Sequence, residues 1–186
     1  MPPGCRVLTI VACGAGPAAA IGTYVKLAQD RGWAVQVVAT PAALDFFDQQ
    51  AIADQSGSPV RSQYAKPGAP RPGSPTPSSS PRPPTTPSTK WAHGISDTYA
   101  LGILAEATGL DVPIVVLPFV ITALASRTPF RRSVESLRAE GVKILLGPDG
   151  FQPHPPRTGD SKIDSYPWHL GPDEAERMLV PAPPSP

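Results

Sequence analysis

The chain has too few cysteines, and too even a balance of charge, for several classes of protein. Its 186 residues include only Cys5 and Cys13, which cannot build a disulfide framework and fit a reducing compartment. Lys and Arg number 16 against 15 Asp and Glu, which gives no basis for binding nucleic acid or an anionic membrane. The apolar run RVLTIVA near the N-terminus is shorter than a signal peptide or a membrane-spanning helix requires. The sequence therefore predicts a cytoplasmic protein without nucleic-acid or membrane partners.

Two common ligand-binding signatures are also missing. No group of His, Cys, Asp or Glu residues has the spacing of a metal site, so no metal is predicted. The dinucleotide fingerprint GxGxxG does not follow the first apolar run, and the second run ends in Ala39, Thr40 and Pro41 rather than in an acidic residue. These absences disfavour an NAD-binding or nucleotide-sugar-binding domain.

What the sequence does contain is an alternation of apolar runs and helical patterns. Strands are predicted at 6–12, 34–39, 112–120 and 142–146, with helices at 18–31, 40–53, 90–109 and 128–140. In the third helix, apolar residues recur every fourth position, at Trp91, Ile95, Tyr99 and Ile103. Such alternation predicts an open, doubly wound parallel sheet in three layers. We assign residues 1–170 to this domain and residues 171–186 to a C-terminal tail.

Proline is the one residue type in excess, with 27 copies concentrated in one stretch. Residues 66–89 read KPGAPRPGSPTPSSSPRPPTTPST, without a single Val, Ile, Leu, Met or aromatic residue. Such a segment cannot bury enough apolar area to offset the entropy of ordering it. Taken literally, it predicts a disordered or polyproline-like linker inside the domain.

The first predicted strand runs into a loop of small residues, Cys13–Ala18. Ligands of doubly wound sheets bind beyond the carboxyl ends of the strands, and a helix that begins there favours a phosphate. The loop is therefore a candidate phosphate site. A tight turn that binds nothing is the alternative.

Several motifs resemble those of one enzyme family. KWAHGISDT follows a Pro-Thr-rich turn and precedes the strand VPIVVLPFV, while ATPAAL follows the second strand and GVKILLG lies near the end. This pattern resembles the flavoproteins related to phosphopantothenoylcysteine decarboxylase and the lantibiotic-peptide cysteine decarboxylases, in an actinobacterial branch. The resemblance implies a flavodoxin-like, Rossmann-type subunit that binds FMN and assembles as trimers or larger homo-oligomers with flavin at subunit contacts. It places Gly14, Ala15, Gly16 and Thr40 around the FMN phosphate and ribityl chain.

The chain departs from the family at three functional positions. The asparagine of the family motif close to Pro-Ala-Ser-Ala-Asn-Thr, which contacts flavin or substrate, falls on Thr86. The family's histidine base belongs to the loop after the second helix, but residues 56–68 contain no histidine. The asparagine of the substrate clamp Pro-x-Met-Asn-x-x-Met falls on Ile121, whose side chain cannot hydrogen-bond a carboxylate. Cysteine decarboxylation is therefore not supported residue by residue.

A shifted reading frame would explain why the strand before this motif is missing. In the family that strand is a buried run ending in Val-Val-Ala-Pro, and a proline-rich coil cannot replace a central strand. Codons can be chosen for residues 75–89 whose bases, regrouped from the third base of the Pro75 codon, encode DAIVVAPATYNTVN. This string contains both the strand and the motif. We hypothesise that residues 73–89 are a frameshifted reading, through a sequencing error or a real lesion, with a genuine linker insertion as the alternative.

Two functions from different classes remain. The first is an FMN-binding, decarboxylase-like lyase or oxidoreductase, for which His93 and Asp97 are the only catalytic candidates. Each has a plainer interpretation, since His93 can face solvent or pack and Asp97 can be an exposed or capping residue on a helix. The second is a non-catalytic Rossmann-like remnant, or an interaction protein whose proline-rich linker docks SH3-type partners. The sequence does not identify a substrate for the first.

Overall fold

The structure, a computed structural model, describes residues 6–64, 78–80, 85–148 and 150–179, apart from the side chains of residues 78–80 and 85–86. The described strands form one parallel sheet in the order β2-β1-β3-β4-β5. They are β1 (Val7–Ala12), β2 (Ala34–Ala39), β3 (Ser78–Ser80), β4 (Ile114–Val116) and β5 (Lys143–Ile144). The strand order reverses between β1 and β3, as in flavodoxin-like folds. The predicted doubly wound sheet is confirmed.

Helices connect the strands and cover the sheet. The described α-helices are α1 (Ile21–Gln29), α2 (Gln49–Ser56), α3 (Thr85–Ala92), α4 (Tyr99–Gly109), α5 (Thr122–Ala125), α6 (Thr128–Ala139), α7 (Asp160–Ile163) and α8 (Leu170–Leu179). Short 3-10 helices at Gly16–Ala20 and Pro41–Ala43 follow β1 and β2. No helix in these described ranges combines the length and the apolar character that a membrane crossing demands.

Alternate residues of β1 divide the core into two layers, one on each face of the sheet. Leu8 and Ile10 belong to a cluster with α1, α2 and α8. Val11, together with Cys13 just beyond the strand, belongs to a second cluster with α3, α4 and α6. All six residues of β1 are buried, which explains why its sequence VLTIVA is almost continuously apolar.

The structure places a central strand within the proline-rich stretch. Ser78 of β3 pairs with Thr9 of β1 on one side and with Ile114 of β4 on the other, both in parallel. The remaining two serines pair with Val115 and Val116. Residues 65–77 and 81–84, which make up most of the predicted linker, lie outside the described residues. A run of three serines thus occupies the position where a parallel sheet normally carries Val or Ile.

The single long helix predicted around Trp91 is wrong. α3 ends at Ala92, and Gly94 follows it with a φ of 69°, a left-handed conformation that stops a helix. A new helix, α4, begins after Thr98, whose hydroxyl oxygen accepts a hydrogen bond from the Leu101 N–H at 3.3 Å. Ile95 lies between the two helices and is 46% exposed instead of packing on a helical face.

The C-terminal region also differs from expectation, because helix α8 occupies most of the segment predicted as a tail. Its residues Glu174 and Ala175 are buried, and the helix packs against β3 and β4. Arg31 forms an ion pair with Asp173 at 2.5 Å, which links α8 to the end of α1. The domain therefore extends at least to Leu179.

Candidate functional site

The carboxyl ends of β1 and β2 lie side by side and bring together most of the residues predicted to bind a cofactor. Ala12 pairs with Ala39 at the ends of these strands. The Thr40 N–H donates to the Ala12 carbonyl oxygen at 2.9 Å, so the residue after β2 is held against the end of β1. The loop that carries Gly14, Ala15 and Gly16 starts from this point.

Gly14 is required by the close approach of this loop to the turn after β2. A Cβ atom at Gly14 would lie 2.6 Å from the Ala42 carbonyl oxygen and 2.9 Å from the Ala42 Cβ. Because both neighbours are fixed parts of a turn, no side chain fits there without moving the backbone. Glycine, which has no Cβ, is therefore the residue that this approach of the two turns accommodates.

Thr40 is a buried hydroxyl with an unmet hydrogen-bonding capacity. Its side chain is 7% exposed, and no described residue hydrogen-bonds its Oγ1 atom. Two other buried side-chain atoms of the described residues share this property, Trp33 Nε1 and His154 Nε2. An unpaired buried polar group costs about 1–3 kcal/mol. A ligand with a polar group beside Thr40 would remove that cost.

The far wall of the site follows β4. The His154 N–H donates to the Val120 carbonyl oxygen at 3.2 Å, and the His154 carbonyl oxygen accepts from the Thr122 N–H at 2.8 Å. These bonds hold His154 beside the segment that leaves the carboxyl end of β4. The ring centroid of Phe119 lies 4.7 Å from that of the imidazole, with the two planes tilted by 52°, and its Cε1 atom lies 3.6 Å from the position of a Cβ on Gly16. Phe119 therefore connects the loop after β1 with His154.

The remaining predicted residues lie along α3. Thr86 is the second residue of that helix, at its amino end, and its side chain is not among those described. His93 follows the other end of α3, about 10 Å farther along at 1.5 Å per residue, and is exposed. Asp97 forms an ion pair with Lys90, and its side chain is 47% exposed. Both His93 and Asp97 are thus exposed residues after the end of α3.

The site contains one residue that sequence reasoning passed over, His154. The segment GFQPHPP around it has neither strand nor helix periodicity, so nothing in the sequence indicates that the histidine is buried. The structure buries it to 4% exposure beside the sheet edge. Ile121, at the position of the family's clamp asparagine, lies next to it and pairs with it in a parallel bridge. Within the described ranges, no three His, Cys, Asp or Glu residues come together to hold a metal ion.

Several solved structures superpose on this chain. HAL3 from Cryptococcus neoformans superposes with a TM-score of 0.70 at 19% identity, over 95% of this chain and all (100%) of that one. The FMN-dependent cysteine decarboxylase SpaF gives 0.66 at 20% identity, over 93% and 98% of the two chains. The epidermin biosynthesis protein EpiD from Staphylococcus aureus gives 0.63 at 16% identity, over 75% and 81%.

This chain has the fold of these proteins. The likeness lies in the fold, since the sequence identities are low. No family model matches the sequence, and a search of curated proteins finds no significant match.

Proposed function

We propose that the chain is an FMN-binding flavoprotein related to the cysteine decarboxylases. The observation that carries this proposal is that Gly14 and Thr40 lie close together at the carboxyl ends of β1 and β2. Gly14 permits the close packing of its loop against the next turn, and Thr40 leaves a buried hydroxyl without a partner. Gly14 lies beside the point where strand order reverses, which is where flavodoxin-like sheets bind their ligands, and Thr40 follows β2, the neighbouring strand on the other side of β1. Of the proteins with similar structures, SpaF and TvaF are FMN-dependent cysteine decarboxylases and AtHal3 is an FMN-binding protein.

The residues at this edge fit the chemistry of FMN. Gly14, Ala15 and Gly16 would surround the phosphate, Thr40 Oγ1 would hydrogen-bond the phosphate or ribityl chain, and Thr86 would lie at the helix end facing it. Buried apolar residues, among them Ala18 and Leu117, would keep water away. When bound, FMN supplies an electron acceptor for oxidation of a substrate carbon.

We leave the reaction unassigned, and cysteine decarboxylation is not part of the proposal. Ile121 cannot act as the clamp asparagine, and the loop at 56–68 has no histidine to act as the base. Assembly as a trimer or larger homo-oligomer, a cytoplasmic location and the actinobacterial branch also remain proposals, each resting on the sequence alone.

We further propose that residues 73–89 are read out of frame. Each codon of the shifted frame takes two of its three bases from a single codon of the frame that encodes the present sequence. The Ile, Val and Val of DAIVVAPATYNTVN therefore draw on the codons of Ser78, Ser79 and Ser80, the three residues of β3. The asparagine of the motif draws on the codon of Thr86, at the start of α3. This coincidence of the apolar residues with the central strand supports the shifted frame, because a buried central strand of a parallel sheet is normally apolar.

Titration with FMN tests the proposed function. We expect the chain with residues 76–89 replaced by DAIVVAPATYNTVN to bind one FMN per chain, followed by quenching of flavin fluorescence. The chain as written should bind more weakly, since its central strand is polar. Riboflavin, which lacks the phosphate, should bind at least tenfold more weakly than FMN, because the loop of Gly14 holds the phosphate. Absence of saturable binding by both chains would reject the proposal and favour the non-catalytic remnant or interaction protein.

Removing the Thr40 hydroxyl should weaken FMN binding without lowering the stability of the flavin-free protein. In Thr40→Val, the flavin-free protein loses an unpaired buried hydroxyl and should be as stable as the wild type or up to about 1 kcal/mol more stable. FMN affinity should fall about fivefold, which corresponds to one neutral hydrogen bond. Thr108→Val is the control, because the Thr108 hydroxyl donates to the Leu104 carbonyl oxygen within α4, at 2.8 Å. Unchanged FMN affinity in Thr40→Val would remove Thr40 from the site.

A further inference from the structure

The imidazole of His154 is buried at the carboxyl edge of the sheet with one nitrogen unpaired. Its Nδ1 atom lies 2.9 Å from the Pro155 carbonyl oxygen and 3.3 Å from the Thr158 hydroxyl oxygen. Its Nε2 atom is inaccessible to solvent and has no hydrogen-bond partner among the described residues. Burial without a partner costs about 1–3 kcal/mol for a polar atom.

The contact to Pro155 determines which nitrogen of the neutral ring carries the proton. A carbonyl oxygen can only accept, so Nδ1 must be the donor in this hydrogen bond. In the neutral imidazole the other nitrogen, Nε2, is then an acceptor with a free lone pair. The group missing from the site is therefore a hydrogen-bond donor.

Helix α7 covers both His154 and the predicted phosphate loop. The Ile163 Cδ1 atom at one end of α7 lies 3.1 Å from the position of a Cβ on Gly16. Gly159, just before the other end, would place a Cβ 3.3 Å from the His154 Cε1 atom. The first three residues of α7 are exposed. Ile163 of α7 and the ring of Phe119 thus link the loop of Gly16 to the neighbourhood of the imidazole.

We infer that His154 Nε2 accepts a hydrogen bond from the molecule that binds at the Gly14–Gly16 loop, beneath α7. This inference rests on the proposed function, and the donor is a hydroxyl or ring N–H of bound FMN. It assigns a ligand-binding role to a histidine other than the one missing from residues 56–68. The unpaired lone pair is the feature that separates this role from simple packing, because a packing role would be served equally by an apolar ring.

The test compares flavin-free stability with FMN affinity in His154→Phe. The phenyl ring keeps the contact with Phe119 and removes both nitrogens, the unpaired Nε2 and the Nδ1 that donates to Pro155, whose carbonyl oxygen still accepts from the Thr158 hydroxyl. We expect the flavin-free protein to unfold at the same or a higher urea concentration, whereas FMN binding weakens at least tenfold. His154→Gln should recover part of that loss, since the amide oxygen of Gln reaches about as far as Nε2. His169→Gln serves as the control, because His169 is exposed and lies outside the site.

A second readout does not depend on affinity. In nitrogen-15 spectra of the wild-type chain, FMN should shift the His154 Nε2 resonance towards that of a hydrogen-bonded acceptor, while the His169 resonances stay in place. Equal FMN affinity in the wild type and His154→Phe, with an unmoved Nε2 resonance, would overturn this inference and leave the proposed function intact. Lack of FMN binding by the chain in both reading frames would overturn both.

Discussion

Replacing residues 76–89 with DAIVVAPATYNTVN should raise the free energy of unfolding by roughly 5–9 kcal/mol, the gain from burying three aliphatic side chains at about 1.5–3 kcal/mol each. The three side chains are the Ile, Val and Val that take the places of Ser78, Ser79 and Ser80. This strand is hydrogen-bonded to β1 and β4 on its two sides, and the neighbouring positions of β4 are buried. The expected gain is comparable to the whole stability of a typical domain, about 5–15 kcal/mol.

Urea unfolding of the two chains measures this difference in the free energy of unfolding. Two controls test whether the gain comes from the apolar strand. A chain with the same replacement residues in scrambled order has the same composition but no apolar strand at β3, so it should gain little. The triple variant Ser78→Ile, Ser79→Val, Ser80→Val should recover most of the gain without the motif. If the replaced chain were no more stable than the written one, the shifted frame would lose its physical basis. Sequencing the gene across the codons of residues 64–91 then decides whether the shift is present.

The parts of the fold that sequence reasoning predicts well are those with a strong local pattern. The runs at β1 and β2 are apolar because both strands are buried, and each is bounded by Gly or Pro, so even their limits are nearly correct. The helix α6 is predicted to within one residue because Pro129 fits its first turn and Gly141, with a φ of 84°, follows its end.

The parts that it misses depend on contacts distant in sequence. Nothing local marks Ser78–Ser80 as a strand, and only pairing with β1 and β4 makes it one. Helix α8 is amphipathic but short, and its burial depends on packing against the sheet. His154 gains its place in the site through backbone bonds to Val120 and Thr122, more than thirty residues earlier in the chain. The Gly14 loop was predictable because a run of small residues after a first strand is itself a local pattern.

A single methyl group on Gly14 should disrupt the site. In Gly14→Ala the new Cβ would lie 2.6 Å from the Ala42 carbonyl oxygen, so the turn that carries Thr40 must move. Overpacking of this kind costs about 1–3 kcal/mol of stability. FMN affinity should fall at least a hundredfold, because both the phosphate loop and the Thr40 hydroxyl shift. Equilibrium titration with FMN and urea unfolding measure the two effects separately.

Gly109→Ala is the matched control, since no atom lies within 4 Å of the added Cβ and its φ is not positive. It should leave FMN affinity unchanged and stability the same or up to about 1 kcal/mol higher, because alanine has less backbone entropy to lose in a helix. If Gly14→Ala lost stability but kept its affinity for FMN, the contact with Ala42 would matter for folding alone, and the phosphate would have to bind elsewhere along the edge. A joint loss would instead tie the approach of these two turns to the cofactor, because the same displacement would then explain both effects.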